Sequence, residues 1–385
     1  MAPGELRQDP LSGRWVAITT GRAARPEAFL REEGPGRGPL GCPFCPGNEH
    51  MTPPEVWADR DSAVAAGIAA PPKGRRGRLK DSAVAAGIAA PPKGRRGRLK
   101  DSAVGGGAAA PPEGRRGRLD DGAADGPGWR VRVVPNKFPA FAGPAGASPE
   151  AGDGPGGLYR AAPTAGAHEV IIHNPDHAAT LADLDEPDAA RVTAAWRLRL
   201  AARHDDELGA AVVVVNQGRL SGASLEHPHS QMFATVARPA LVQAELERLG
   251  RDDCAACAIL NKERGGERVV ADAAGLVTLC PWASALPFEA LILPDQHLPR
   301  LDDPGPGDLA LAGALGGLLR GLDAAVGARA PYNLVLHAAP PGTDDFHWHL
   351  HLLPRLTTYG GFELGTGIVI NVVDPDRAAA DLRSG

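Results

Sequence analysis

Cysteine is scarce in this chain, and no stretch stands out as a long apolar run. The 385 residues include five cysteines, four of them in two Cys-x-x-Cys pairs. That excludes a fold stapled by disulfides and fits a reducing cytoplasm. No run reads as the ~20 consecutive apolar residues of a membrane helix. The start, Met1-Ala2-Pro3-Gly4-Glu5, has no basic-then-apolar secretory pattern. The expectation is a cytoplasmic enzyme without membrane association, long enough to bury a substantial core in two lobes or more. The fifth thiol, Cys280, ends the strand-like Leu276-Val277-Thr278-Leu279-Cys280 and is expected to be buried as a small apolar group.

Core-forming residues are thin in one segment. Residues 61–120 are three tandem 20-residue copies, the first two identical, each carrying a Pro-Pro-x-Gly-Arg-Arg-Gly-Arg-Leu pattern. They hold 13 Lys+Arg against 5 Asp+Glu, a net +8, which leaves −13 for the rest of a chain of net charge −5. So few large apolar residues cannot build a core, and the absence of aromatics argues against a nucleic-acid-binding arm. A duplicated insertion between Trp57 and Trp129 is the expectation.

What the chain does have is a pattern that occurs twice. The first copy runs Cys42-Pro43-Phe44-Cys45, then Pro175-Asp176-His177, then His227-Pro228-His229. The second runs Cys254-Ala255-Ala256-Cys257, then Pro294-Asp295-Gln296-His297, then His347-Trp348-His349. His177 and His227 are 50 residues apart, as are His297 and His347. Between them each copy has a helical stretch (189–203 and 308–326) and an apolar strand (211–215 and 333–336). Two diverged copies of one α+β unit follow from that parallel, with boundaries at 1–240 and 241–385.

Two thiolates and two imidazoles close a tetrahedral zinc site. The sets are Cys42, Cys45, His177 and His227, and Cys254, Cys257, His297 and His347. Zinc at both is the expectation. The competing readings are metal-free thiols and, at the second site, iron.

The second histidine of each pair, His229 or His349, is left for chemistry. His351 extends the second pair to His-x-His-x-His, where the first copy has Gln231. The approach to the first pair carries Gly218, Gly222, Asn216 and Ser224, which let a phosphate come close. The approach to the second carries Asp344 and Asp345, which repel one. His229 is therefore the expected nucleophile. One ring nitrogen would be held by a hydrogen bond and the other would face phosphorus. Gln231 would donate to a phosphoryl oxygen.

These segments, with Asp9 to Trp15, Arg22 to Pro26, Val134-Pro135-Asn136-Lys137-Phe138-Pro139, Asn216-Gln217-Gly218, the Gly222 to Glu226 lead-in, Pro287-Phe288-Glu289 and Gly361-Phe362-Glu363, resemble the galactose-1-phosphate uridylyltransferase family of the histidine-triad superfamily. The resemblance implies tandem histidine-triad-like half-units, each an antiparallel sheet with a long helix. It implies ping-pong exchange of UDP-glucose and galactose 1-phosphate for glucose 1-phosphate and UDP-galactose, through a uridylyl-histidine. By it, Arg22 and Arg25 bind phosphate, from the partner chain of a homodimer. Asn136, Lys137, Asn216, Gly222 and Ser224 line the nucleotide site, and Phe362 and Glu363 the sugar. Two features depart from the best-known pattern. Ser230 stands where many members have Gly, and the second metal site reads as Cys254, Cys257, His297 and His347 where those members use a carboxylate and histidines. Both also resemble the related ADP-glucose phosphorylases. A nucleotide-binding histidine-triad protein without turnover is the reading from a different class.

Overall fold

The computed structural model describes residues 5–8, 15–18, 38–60, 128–144, 152–153 and 160–384. Arg22, Arg25 and the repeats at 61–120 lie outside the described residues.

A small sheet contains β1 (Glu5–Gln8), β2 (Trp15–Ile18), β5 (Gly152–Asp153) and β6 (Arg160–Pro163), in the order β2-β1-β6-β5. The main sheet has ten strands. Five come from the first copy of the pattern: β3 (Trp57–Arg60), β4 (Trp129–Pro135), β7 (Gly166–Ile172), β8 (Ala210–Gln217) and β9 (His229–Thr235). Five come from the second: β10 (Val269–Ala273), β11 (Leu276–Leu279), β12 (Ala290–Pro294), β13 (Tyr332–His337) and β14 (His349–Pro354). The order is β10-β11-β12-β14-β13-β8-β9-β7-β4-β3, and every neighbouring pair is antiparallel. Counting outward from the centre, both copies place equivalent strands in equivalent positions. The copies join where β8 pairs β13, from Gln217 opposite Tyr332 to Val212 opposite His337.

Among the described residues the α-helices are α1 (Glu186–Ala201), α2 (Ala240–Leu246), α3 (Ala255–Glu263), α4 (Asp308–Val326), α5 (Gly361–Thr366) and α6 (Pro375–Ser384). Asp185 begins α1 a turn earlier than its apolar periodicity suggests, because its carboxylate accepts from the Asp188 amide and a proline sits in the first turn. α4 ends at Gly327, which adopts the left-handed conformation that costs glycine little.

α1 and α4 cover one face of the sheet and touch each other. Ala189, Ala190 and Ala312 meet between them, and small side chains permit that approach. Thr193 Oγ1 donates to the Asp308 carbonyl at 3.0 Å, and Arg197 grips the Asp308 carboxylate at 2.8 Å. By length and composition alone, α4 is apolar enough to cross a membrane, which corrects the reading that no such stretch exists. Its Leu311, Leu315, Leu318, Leu319 and Leu322 instead lie buried in the core against the sheet.

Alternation along the strands then decides which side chains face away from the helices. On β9, Met232 and Ala234 enter the helix-side core, so His229, Gln231 and Phe233 face the opposite side. On β14, Leu350 and Leu352 enter the core, so His349 and His351 face that side too. Cys280 is fully buried, and burial pushes its thiol up to about 12.

The connection between β3 and β4 holds the repeats, and Arg60 at one end pairs with Trp129 at the other. The chain thus leaves and re-enters the sheet at opposed residues, so a short connection can join them. Deleting residues 61–120 is expected to shift Tm by less than about 3 °C and to leave transfer activity within about twofold. Thermal melts and initial rates on the truncated protein check this; a large loss of either would mean that the repeats pack on the enzyme.

Candidate functional site

The knuckle Cys42–Cys45 precedes β3, His177 lies in the turn after β7, and His227 leads into β9. The fold brings all four together. Cys45 Sγ is 3.3 Å from His177 Nδ1 and 3.5 Å from His227 Nδ1. In the second copy Cys254 caps α3, and its Sγ is 3.6 Å from His347 Nδ1. Cys257 Sγ is 3.6 Å from His297 Nδ1 and 3.5 Å from His347 Nδ1. A tetrahedral ion with zinc-like bond lengths would separate sulfur from nitrogen by about 3.5 Å, so both sets fit one.

The imidazoles are also oriented for it. His227 Nε2–H donates to the Asn174 carbonyl at 2.9 Å, and His347 Nε2–H to the Pro294 carbonyl at 3.0 Å. Each Nδ1 lone pair is thereby turned toward the thiols. Burial pulls His227 and His347 down to about 4, so both stay neutral. Burial, reinforced by the neighbouring Cys42 and Cys254, pushes Cys45 and Cys257 up to about 11. A dication reverses that cost by favouring the thiolates.

A third group gathers Glu245, His337, His349 and His351, with donor atoms within 4.8 Å of one another. Glu245, on α2, lies 2.8 Å from His337 Nδ1 and 3.7 Å from His349 Nε2. Its burial favours the neutral acid, but the hydrogen bonds with His337 and His349 prevail and pull it down to about 2. The sequence reading did not assemble this set, and it treated the second Cys2His2 group as standing in place of a carboxylate–histidine centre. The structure has both. The alternating His347, His349 and His351 were the available signal. His337 joins them only through its register opposite His349, and Glu245 arrives from 92 residues before His337.

His229 is 7% exposed, and its Nδ1–H donates to the His227 carbonyl at 2.8 Å, so Nε2 carries the lone pair. The Phe44 ring stands edge-on to it at 5.2 Å. His349 makes the same backbone bond, Nδ1–H to the His347 carbonyl at 3.0 Å, but its Nε2 faces Glu245. The two copies share a backbone device and differ in what meets the second nitrogen. Beneath His229, Ser230 is fully buried and accepts from Trp196 Nε1 at 2.7 Å, which ties β9 to α1. That bond gives a local reason for a hydroxyl at this position.

The pattern of the galactose-1-phosphate uridyl transferase N-terminal domain matches residues 130–239, the segment that carries His177, His227, His229 and Gln231. An ADP-glucose phosphorylase from Arabidopsis thaliana is 28% identical over 98% of this chain and 92% of its own. A galactose-1-phosphate uridylyltransferase from Haemophilus influenzae is 32% identical over 50% of this chain and 58% of its own. A solved uridylyltransferase superposes with a TM-score of 0.65 over 99% of this chain and 97% of that one, at 23% identity, which shows the shared fold. The chain is thus similar to the galactose-1-phosphate uridylyltransferases, by sequence pattern over residues 130–239 and by fold over its length. Relatives in this family support nucleotidyl transfer on sugar phosphates as its general activity.

The remaining family positions divide into three groups. Gln231 lies one turn of the pleat beyond His229, its Oε1 2.9 Å from His168 Nε2. Asn136 lies beside the same ring, while Lys137 is exposed. Asn216 Oδ1 accepts from Asn333 Nδ2 at 2.7 Å, and Asn333 also donates to the Ser221 carbonyl at 2.9 Å. The second copy thus braces the loop that carries Gly222 and Ser224. Gly218 has φ 81°, and a Cβ there would come 3.0 Å from Pro331, so glycine serves the packing as well as the turn. Phe362 and Glu363 make the third group. They lie on α5, where Phe362 is 52% exposed and Glu363 accepts from the Gly360 amide at 2.9 Å. Asn371 anchors the following segment to the Ser284 and Leu286 carbonyls, before β12. β12 is four strand spacings from β9, about 19 Å.

Elemental analysis is expected to give about two zinc ions per chain, plus a third metal that Glu245→Ala removes. Cys45→Ser should lose one zinc and at least about 2 kcal/mol of stability. Acid should act similarly. The folded values of His227 and His347, about 4, lie below their ordinary 6.5. Their contribution is therefore complete above pH 6.5 and lost as pH falls toward 4. Denaturation midpoints measured across that window, with zinc content read in parallel, check the sign.

Proposed function

We propose that this enzyme transfers a nucleotidyl group from a nucleotide sugar to a phosphate acceptor through a covalent nucleotidyl-His229. The observation that carries the reading is the pinned tautomer: with Nδ1–H held by the His227 carbonyl, Nε2 holds the lone pair on the face opposite α1 and α4, which Gln231 shares. In the first half-reaction Nε2 attacks the α-phosphorus. The N–P bond forms, the P–O bond to the β-phosphate breaks, and the sugar 1-phosphate leaves with the electron pair. An oxygen of the acceptor phosphate then attacks the same phosphorus and releases His229. Gln231 donates to the phosphoryl oxygen as charge develops. A carboxamide donates hydrogen bonds but cannot act as a general acid or base, which suits phosphate acceptors better than water.

The metals are assigned to structure. Cys42, Cys45, His177 and His227 would hold zinc, as would Cys254, Cys257, His297 and His347. A zinc ion at the first set would supply a rigid anchor for His227, whose carbonyl fixes the His229 ring. The histidines and carboxylate of the third set suit zinc or iron. We assign the nucleotide to Asn136, Lys137, Asn216, Gly222 and Ser224, and phosphate to Arg22 and Arg25. Phe362 and Glu363 would meet the sugar, and Arg22 and Arg25 would come from the partner in a homodimer.

The first reading of the substrates is UDP-glucose with galactose 1-phosphate. The second, phosphorolysis of ADP-glucose, is favoured by the Arabidopsis ADP-glucose phosphorylase relative, which aligns over 98% of this chain. Incubation with UDP-glucose or ADP-glucose without acceptor is expected to add one nucleotidyl mass, acid-labile and base-stable, to His229. The sugar nucleotide that labels faster identifies the base, and galactose 1-phosphate against inorganic phosphate identifies the acceptor. His229→Ala should abolish labelling and lower turnover by at least about 10⁴-fold, with fold and zinc content retained. Loss of activity on His349→Ala with unchanged activity on His229→Ala would assign the chemistry to the wrong copy.

A further inference from the structure

The hydrogen bonds around His168 form a directional chain that ends at Gln231. His168 lies on β7, and its register partner on β9 is Phe233, two residues beyond Gln231. The His168 and Phe233 rings stack with centroids 4.1 Å apart and planes inclined by 28°, which fixes the imidazole plane. The backbone N–H of Ala140 donates to His168 Nδ1 at 3.1 Å. A main-chain amide cannot reverse its polarity, so Nδ1 must carry a lone pair and Nε2 must carry the proton. Nε2–H then points at Gln231 Oε1, 2.9 Å away.

Asn136 does not take that proton. Its Oδ1 accepts from the Phe138 amide at 2.9 Å, so the group it turns toward His168, Nδ2 at 3.0 Å, is another donor. Gln231 Oε1 is the acceptor that remains for Nε2–H. A carboxamide is planar, with oxygen and nitrogen on opposite sides. Fixing Oε1 against His168 therefore turns the NH2 group away, along the face that also carries His229. The reverse orientation would set NH2 against an N–H.

We infer that His168 is a positioning residue for transfer: through its Nε2–H it holds the Gln231 amide with its donors toward the reacting phosphoryl group. The inference rests on the nucleotidyl-His229 reading above. An unfixed carboxamide spends part of its time with its oxygen, and so its negative end, toward the phosphoryl oxygens. His168 removes that state before substrate arrives, and the Ala140 amide sets His168 in turn.

The test measures single-turnover nucleotidylation of His229 by intact-protein mass spectrometry, with UDP-glucose and ADP-glucose as donors. His168→Phe keeps the stack on Phe233 and removes the donor. It is expected to slow labelling about 10- to 100-fold while sugar-nucleotide binding stays within about threefold. His168→Gln places an NH2 near the position of Nε2 and should stay within about fivefold of wild type. The decisive comparison is a double-mutant cycle. In a Gln231→Ala background His168→Phe should slow labelling by less than about twofold further, because its effect acts through an absent side chain. A merely structural role would give independent, multiplicative effects instead. Should His168→Phe fail to hold zinc or fold, His168→Glu against His168→Gln decides. Glutamate offers Gln231 an acceptor and turns its NH2 inward, so labelling by the Glu variant must be the slower. Equal rates for those two, or a multiplicative cycle, overturn the inference and leave nucleotidyl-His229 standing. No label on wild type overturns both.

Discussion

An imidazole has two nitrogens, and this fold commits one nitrogen of each key histidine to a backbone carbonyl. His227 donates to Asn174 and His347 to Pro294, both through Nε2, while His229 donates to His227 and His349 to His347, both through Nδ1. Those four bonds set the tautomers. They turn Nδ1 of the outer pair toward the thiols and leave Nε2 of the inner pair on the face of the sheet opposite α1 and α4. Metal binding and nucleophilic chemistry therefore share one element, since the carbonyl that orients His229 belongs to a proposed metal ligand. Loosening the first cluster disturbs the angle of attack as well as the fold.

The same device is built twice and used differently. β9 and β14 occupy equivalent positions in their copies, and His229 and His349 have matching backbone bonds. What separates them is a carboxylate. Glu245, delivered by α2, lies beside His337 and His349 and draws that imidazole into a four-donor cluster. His229 has Phe44 at its edge and Gln231 along its strand instead. The two copies thus share a backbone device while one meets a carboxylate and three histidines and the other does not.

The ten-stranded sheet keeps these roles apart from the apolar core. α1 and α4 cover one face, and Trp196 reaches through to Ser230 directly behind the nucleophile. The opposite face carries the three described groups that could hold a metal, together with the proposed transfer site. The β8–β13 seam makes the copies interdependent, because Asn333 of the second holds both Asn216 and the Ser221 carbonyl of the first. A single half-unit would lack that brace.

The sequence by itself determined the plan: two α+β copies, their Cys-x-x-Cys and His-x-His pairs, and the helix and strand between them. Those signals are local or regularly spaced, so ligand type and periodicity were enough to read the two Cys2His2 sets. Core alternation on β9 also showed that His229 and Gln231 share a face. The tertiary structure alone decided the Glu245, His337, His349 and His351 cluster, because its members meet through strand register and helix placement that no short-range pattern encodes. It decided as well that His168 and the Ala140 amide govern Gln231. Hydrogen-bond polarity is a property of atoms brought within 3 Å by folding, and a sequence specifies the donors and acceptors without specifying which of them meet.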